Sequence, residues 1–381
     1  MTSSAGPNSI RQAIKRICAF LPSEDWIVIG WVIAIKTLLF VIGVKSYPML
    51  WDKYAPTPSR WFEPWDQWDF GHYQKIAEFG YEAGDGSLAF YPLFPCLFRL
   101  VAYISGSYLA AALIVSGIAS VAAAVLLRRL VQLDYDSAIA LRSVWFFLIF
   151  PTAYFLHVGY SESLFLALTL ASVLAARTDR WGVAGLLGAF CWLTRATGAV
   201  LVPTLAVEAA QKYSTNRRWN PRWLWIALVT TGFAVYLLLN WRVTGDALAF
   251  LQTRKISFGQ SFALPSAGIW KMIEAHYPTP NEAEMVGVQE LAFLGLGLIC
   301  TIISWIKLRP MYAVWMTGNW ILFASVNYFR SIPRYTLTMF PIFILFGLLS
   351  QNRFWAGVLT AWSLLFFALS AVLFARGEWA F

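Results

Sequence analysis

Long apolar runs alternate with short polar connections along the whole chain. Residues 26–45, 107–127, 223–241, 288–306 and 354–374 each come close to the roughly twenty apolar residues that a bilayer crossing needs. Shorter runs lie between them. Residues 140–158 and 161–176 are paired around Pro151 and Gly159, and residues 182–194 and 197–211 are joined at Arg195-Ala196-Thr197-Gly198. Residues 311–327 and 335–350 complete the set, and residues 89–105 are apolar but broken by Pro92 and Pro95 and carry Arg99. The pattern predicts an all-α polytopic membrane protein, a single membrane-embedded unit of about ten to twelve helices, several of them shorter than a bilayer is thick. Short paired helices imply an interior shaped around a site. Residues 1–25, with Arg11, Lys15 and Arg16 among apolar positions at helical spacing, read as a surface helix.

Composition supports the membrane reading. The 381 residues are 59% hydrophobic and 13% charged, against about 25% charged in an average soluble chain. The formal net charge is +9, but the basic residues sit in short clusters between apolar runs, which suits orientation in a membrane and contact with anionic lipids. Nucleic acid is excluded as a partner. The basic amino-terminal stretch keeps that side cytoplasmic, so residues 46–88 form a first outer loop and residues 242–287 a second. Arg128 and Arg129 also prefer the cytoplasm, which leaves open whether residues 89–105 cross the membrane. Cys18, Cys96, Cys191 and Cys300 lie far apart without metal-ligand spacing. The absence of any Asn-X-Ser/Thr acceptor favours a prokaryotic source, hence a cytoplasmic (inner) membrane with the site facing outward.

The first outer loop carries the densest chemistry. Glu63, Asp66 and Asp69 fall within seven positions, interleaved with Trp61, Trp65, Trp68, Phe70 and Tyr73. Tryptophans of this kind anchor at the membrane interface. On a helix, Asp66, Asp69, His72 and Tyr73 would share one face. The topology brings Tyr160 to Ser163, Arg195, Arg254, Lys255, Arg330 and Arg334 to the same side. A carboxylate opposed by several arginines suits an anionic head group with a base beside it. Transfer from a lipid-linked phosphate donor would need that and little more, because the departing phosphate requires no general acid.

The order of blocks resembles the GPI mannosyltransferase II family. The blocks are Trp68-Asp69-Phe70-Gly71-His72-Tyr73 with Ile76-Ala77 and Gly80-Tyr81, then Ala89-Phe90-Tyr91-Pro92-Leu93-Phe94-Pro95. Pro151-Thr152-Ala153-Tyr154-Phe155, Gly159-Tyr160-Ser161-Glu162-Ser163-Leu164-Phe165, Leu193-Thr194-Arg195-Ala196-Thr197-Gly198, Gly245-Asp246-Ala247-Leu248-Ala249-Phe250 and Pro333-Arg334-Tyr335 follow in family order. Gln67 stands where eukaryotic members usually have arginine, and Tyr73 where they have phenylalanine. The resemblance implies a GT-C glycosyltransferase fold and an inverting enzyme that uses polyprenyl-phosphate mannose. Asp69 carries over as the essential acid, acting as base or acceptor-orienting group. His72, Tyr160, Glu162, Arg195 and Arg334 carry over as site-lining positions. Arg330 joins them from its place in the last outer loop, and Asp66 from the shared helix face.

The expected partners are the lipid-linked donor, a lipid or glycan acceptor hydroxyl, and membrane lipids. No metal and no cofactor is expected, although Asp66 and Asp69 together have the chemistry to hold a cation. Two alternatives stand beside this reading: the same fold with another polyprenyl-phosphate sugar, and a transporter of an anionic solute. Transport predicts internal repeats and charges near the bilayer middle, whereas here the charges gather toward one surface.

Overall fold

The computed structural model describes residues 21–51, 61–274 and 283–380; the amino-terminal surface helix expected around Arg11, Lys15 and Arg16 lies outside them, as does Cys18. The helices are α1 (Ser23–Trp51), α2 (Asp69–Phe79), α3 (Leu93–Ser105), α4 (Tyr108–Val131), α5 (Ser137–Ile149), α6 (Glu162–Arg177), α7 (Trp181–Trp192) and α8 (Leu201–Asn216). They continue with α9 (Val229–Thr244), α10 (Ala249–Phe258), α11 (Pro265–Glu274), α12 (Ala283–Lys307), α13 (Pro310–Ala324), α14 (Ile332–Leu337), α15 (Pro341–Leu349) and α16 (Arg353–Ala375). Five stretches are long and apolar enough to cross a membrane: Ser23–Ser46, Tyr108–Val131, Pro221–Thr244, Gly287–Lys307 and Arg353–Ala375. The shorter helices pack among them, and one hydrophobic core runs from Val28 to Ala380.

Ion pairs tie one end of the bundle together. Asp25, at the start of α1, accepts from Arg128 and Arg129 at the end of α4. Arg177, at the end of α6, holds both oxygens of Asp134 in a fork at 2.7 and 2.8 Å, and the buried Glu208 on α8 faces Arg309. Arg128, Arg129, Arg177 and Arg309 thus gather at this pole, and Glu162, the first residue of α6, marks the other.

These contacts settle the path of residues 89–105. Because the end of α4 meets the start of α1, α4 runs antiparallel to α1 and begins at the pole where α1 finishes. The intervening chain thus leaves and returns on one side, and α3 does not cross. Its length agrees: thirteen residues span roughly 20 Å, well short of the hydrocarbon core. Left-handed Gly106 ends it, and the Ser107 side chain accepts from the Ala110 N–H to start α4. Leu100, Tyr103 and Ile104 stay exposed on its outer face.

Residues predicted as continuous runs are interrupted where the site lies. The run 140–158 stops as α5 at Ile149, ahead of Pro151; a short 3-10 turn over Ala153–Leu156 and buried residues up to Tyr160 then lead into α6. The run 335–350 is likewise split into α14 and α15, with Pro341 starting the second helix.

Candidate active site

Helix α2 buries Phe70, Tyr73, Ile76 and Ala77, positions three or four apart that form its inward face. Phe70 packs closely because residue 159 is glycine; a Cβ there would come within 2.8 Å of the phenylalanine ring. Gly80, at φ 89°, ends the helix in a conformation suited to glycine. The helix begins at Asp69, where an acid in the first turn meets the positive end of the helix dipole.

The residue before it is under strain. Trp68 has φ 53° and ψ −117°, a sparsely populated conformation for a residue with a side chain. The buried Tyr160 hydroxyl brackets it: it donates to the Gln67 carbonyl at 2.8 Å and accepts the Asp69 N–H at 3.1 Å. Asp69 is therefore held by its main chain from a different helix pair.

Its side chain meets three further elements. Asp69 Oδ2 lies 2.5 Å from Arg334 Nη1 on α14. The Arg334 Nε donates to Glu162 Oε1, and the same oxygen accepts from Arg195 Nη1 at 2.5 Å. Arg195 Nη1 also reaches Ser161 Oγ at 3.1 Å, which in turn lies 2.9 Å from Tyr73 Oη. Burial, with Glu162 next in effect, pushes the Tyr73 hydroxyl up to about 12, so it stays a neutral partner to Ser161. The Arg334 guanidinium packs over the rings of Tyr160 and Phe155 at 4.6 and 4.8 Å. Two arginines and two carboxylates thus form one balanced network. Glu162 is fully enclosed, whereas the Asp69 side chain keeps 27% of its surface and faces a cleft.

That cleft is lined by Asp69, Arg334, Trp68, Phe155, Trp379 and Ala380, among others, and encloses only about 10 Å³, the room of one water molecule. The segment after α16 forms its outer wall. Trp379 stacks edge-on against Trp68 at 5.1 Å and lies 4.4 Å beneath the Arg330 guanidinium. Tyr154 donates to the Ala380 carbonyl, and the buried Trp379 Nε1 has no hydrogen-bond partner in the structure. Trp379 carried no signal in the sequence beyond being one more terminal tryptophan.

Other expectations are placed differently. Asp66 precedes α2, following a 3-10 turn at Glu63–Trp65, so it does not share the helical face of Asp69. Arg334 lies against Asp69 Oδ2, and no group of three or more His, Cys, Asp or Glu side chains that could hold a metal ion occurs among the described residues. His72 does lie on α2, but stacks on Phe90 at 4.8 Å and against Phe258 instead of joining the ionic network. Arg254 donates to Gln260, and α10 packs beneath through Phe250 on Tyr236, apart from that network. The tryptophans also divide. Trp61 and Trp68 are exposed as interface anchors would be, but Trp65 is buried between Phe40 and Phe374, in space left by Gly43.

The molecule is a helical membrane bundle with a carboxylate–arginine cleft at the pole away from its basic end. The chain belongs to the mannosyltransferase (PIG-V) family, whose profile matches residues 37–240. That stretch includes Asp69, Tyr160, Glu162 and Arg195; Arg330 and Arg334 come from outside it. No curated protein sequence matches the chain. Among solved structures it is similar to the oligosaccharyltransferase of Archaeoglobus fulgidus in the apo form, 12% identical over 91% of this chain and 56% of that one, with a TM-score of 0.44. The archaeal oligosaccharyltransferase AglB from the same organism, in complex with an inhibitory peptide and a dolichol-phosphate, is also 12% identical, over 91% of this chain and 56% of that one, with a TM-score of 0.42. The chain spans little more than half the length of these structures.

Proposed function

We propose that this protein is an inverting GT-C-type glycosyltransferase that moves mannose from a polyprenyl-phosphate donor to a hydroxyl of a lipid-linked or cell-envelope acceptor on the outer face of the membrane. Family membership supports mannosyl transfer. The observation that carries the mechanism is Asp69, fixed at a helix start and accessible in a cleft, with Arg334 between it and Glu162.

In the reaction the acceptor oxygen attacks the sugar C1 while the bond from C1 to the phosphate oxygen breaks. The phosphate leaves with the electron pair, and the hydroxyl proton passes to Asp69. Attack from the opposite side inverts the β-linked donor to an α-mannoside. Arg195 and Arg334 are already balanced by Glu162 and Asp69, so they orient the base and supply donors, while a phosphate needs a further cation. Arg330, exposed and stacked on Trp379 of the cleft wall, suits that role. Trp379 Nε1 offers a donor to a substrate oxygen. A sugar does not fit the present cleft, so the Trp379–Ala380 wall moves aside when substrate enters. The chemistry requires no metal. The basic pole of Arg128, Arg129, Arg177 and Arg309 favours a cytoplasmic location for that end, which turns the cleft outward.

Donor consumption by the protein in nanodiscs, with radiolabelled polyprenyl-phosphate mannose and membrane lipid extract as acceptor source, tests this reading. Asp69→Asn is expected to slow transfer on the order of 10²–10⁴-fold, and transfer at the wild-type rate in that variant would remove Asp69 from its role. Use of another polyprenyl-phosphate sugar in place of mannose would keep the fold and change the donor. Movement of a labelled anion across liposomes with no donor consumption would replace the enzyme by a transporter.

A further inference from the structure

Glu290 lies in the first turns of α12 that face the bundle, fully buried, and no motif in the sequence singles it out. Its carboxylate forms no ion pair among the described residues, although the Arg330 charge acts on it from nearby. Oε1 accepts the Ser331 N–H and Oε2 the Ile332 N–H, both at 2.7 Å. Two consecutive main-chain donors at the start of α14, which have no partner within their own helix, are thereby satisfied by one side chain. Ser331 is also one of the few non-glycine residues with positive φ, at 70°, in the left-handed region that costs an L-residue energy.

The gripped turn stands between Arg334, which lines the cleft, and Arg330, which packs on Trp379 of its wall. Arg330 immediately precedes it and reaches Trp379; Arg334 follows one helical turn later and reaches Asp69 and Glu162. The Pro333 carbonyl, between them, accepts from Thr152 Oγ1 at 3.0 Å, so the turn is tied to the Pro151 segment as well. A burial this complete is costly for a carboxylate unless it is hydrogen-bonded, and an ionisable residue within a membrane helix is seldom without use.

We propose that Glu290 is a positioning residue for the transfer reaction: its carboxylate holds the left-handed Ser331 turn so that Arg334 reaches into the cleft and Arg330 packs on Trp379 in the cleft wall. The consequence for catalysis rests on the function proposed above; the grip on the turn does not. Glutamate suits the task because its two oxygens reach two adjacent N–H groups. Glutamine keeps one acceptor but sets an NH₂ against the second N–H, and alanine loses both.

The test uses the full chain in nanodiscs and two readouts. Amide hydrogen exchange is followed over residues 328–338, and kcat/KM is measured with polyprenyl-phosphate mannose. Glu290→Ala is expected to speed exchange at Ser331 and Ile332 at least tenfold while α16 stays protected, and to lower kcat/KM at least tenfold, with Glu290→Gln in between. Ser331→Gly alone should stay within about twofold of wild type, because glycine adopts the left-handed turn freely. Combined with Glu290→Ala, it should regain at least fivefold of the lost activity. Unchanged exchange at the turn in Glu290→Ala overturns the proposal. So does faster exchange throughout α12 and α16 with no rescue by glycine, since that marks a scaffold role. A wild-type protein that never consumes the donor removes the proposed function, while the exchange arm still decides whether Glu290 holds the turn.

Discussion

Arg334 and Glu162 form the centre of the site: the arginine gives its Nε to Glu162 and its Nη1 to Asp69, joining a fully buried carboxylate to an accessible one. The two residues are 172 positions apart in the chain. Their pairing means that the accessible carboxylate of Asp69 is oriented by a group that is itself fixed in the core.

Removing one partner of such a network leaves an uncompensated charge. Arg334→Ala is expected to destabilise the fold by about 3–5 kcal/mol and to cost about 2–4 kcal/mol of transition-state stabilisation. Arg334→Lys should recover little, because a single ammonium cannot present two edges to two carboxylates. Thermal unfolding in detergent and transfer rates check both parts; wild-type rates in Arg334→Ala and Arg195→Ala alike would remove the arginines from the mechanism.

Asp69→Asn keeps shape and the main-chain bond to Tyr160 while removing the acceptor for the hydroxyl proton. Transfer should fall on the order of 10²–10⁴-fold. The unfolding temperature should fall by less than in Arg334→Ala, since the Asp69 side chain is partly exposed and Glu162 still faces Arg334. A large loss of stability would point to a structural role instead.

Tyr160→Phe tests the bracket around Trp68. The loss of two hydrogen bonds at a buried position should cost about 1–3 kcal/mol of stability. Asp69 should also lose its set position, lowering kcat more than it raises KM. Steady-state kinetics resolve the two; an effect on stability alone would show that the strained turn does not matter to turnover.

Trp379 separates a wall from a donor. Trp379→Phe keeps the ring contacts with Trp68 and Arg330 but removes Nε1, and should raise the donor KM several-fold. Trp379→Ala should raise it further by releasing Arg330. Equal kinetics in all three proteins would exclude the residue from the substrate's path.

Gly159→Ala should destabilise the protein by about 1–3 kcal/mol, because the added methyl meets Phe70 at 2.8 Å and Ala112 at 3.2 Å in a packed interior. Displacing Phe70 also moves the start of α2. Lowered thermal stability together with lowered transfer is the expected result, and an unaltered unfolding temperature would show that the helix can shift without cost.

Much of this molecule is legible from the order of its residues. Apolar runs of near-bilayer length define the long helices, since a chain in hydrocarbon must satisfy its own main chain. Asp69, Tyr160, Glu162, Arg195 and Arg334 stand in motifs visible along the chain, and the fold brings them into contact. The membership of Asp66 could not be judged that way: helical spacing groups it with Asp69, but the helix starts three residues later, after a strained turn that Tyr160 supplies from another element. Whether residues 89–105 cross was equally undecidable along the chain, because it depends on Asp25 meeting Arg128. Only the tertiary structure brings Trp379 over the cleft and Glu290 under the Ser331 turn. Patterns along a chain report which residues are costly to leave in lipid or water; which two distant side chains share an oxygen is decided by packing, and packing is a property of the folded whole.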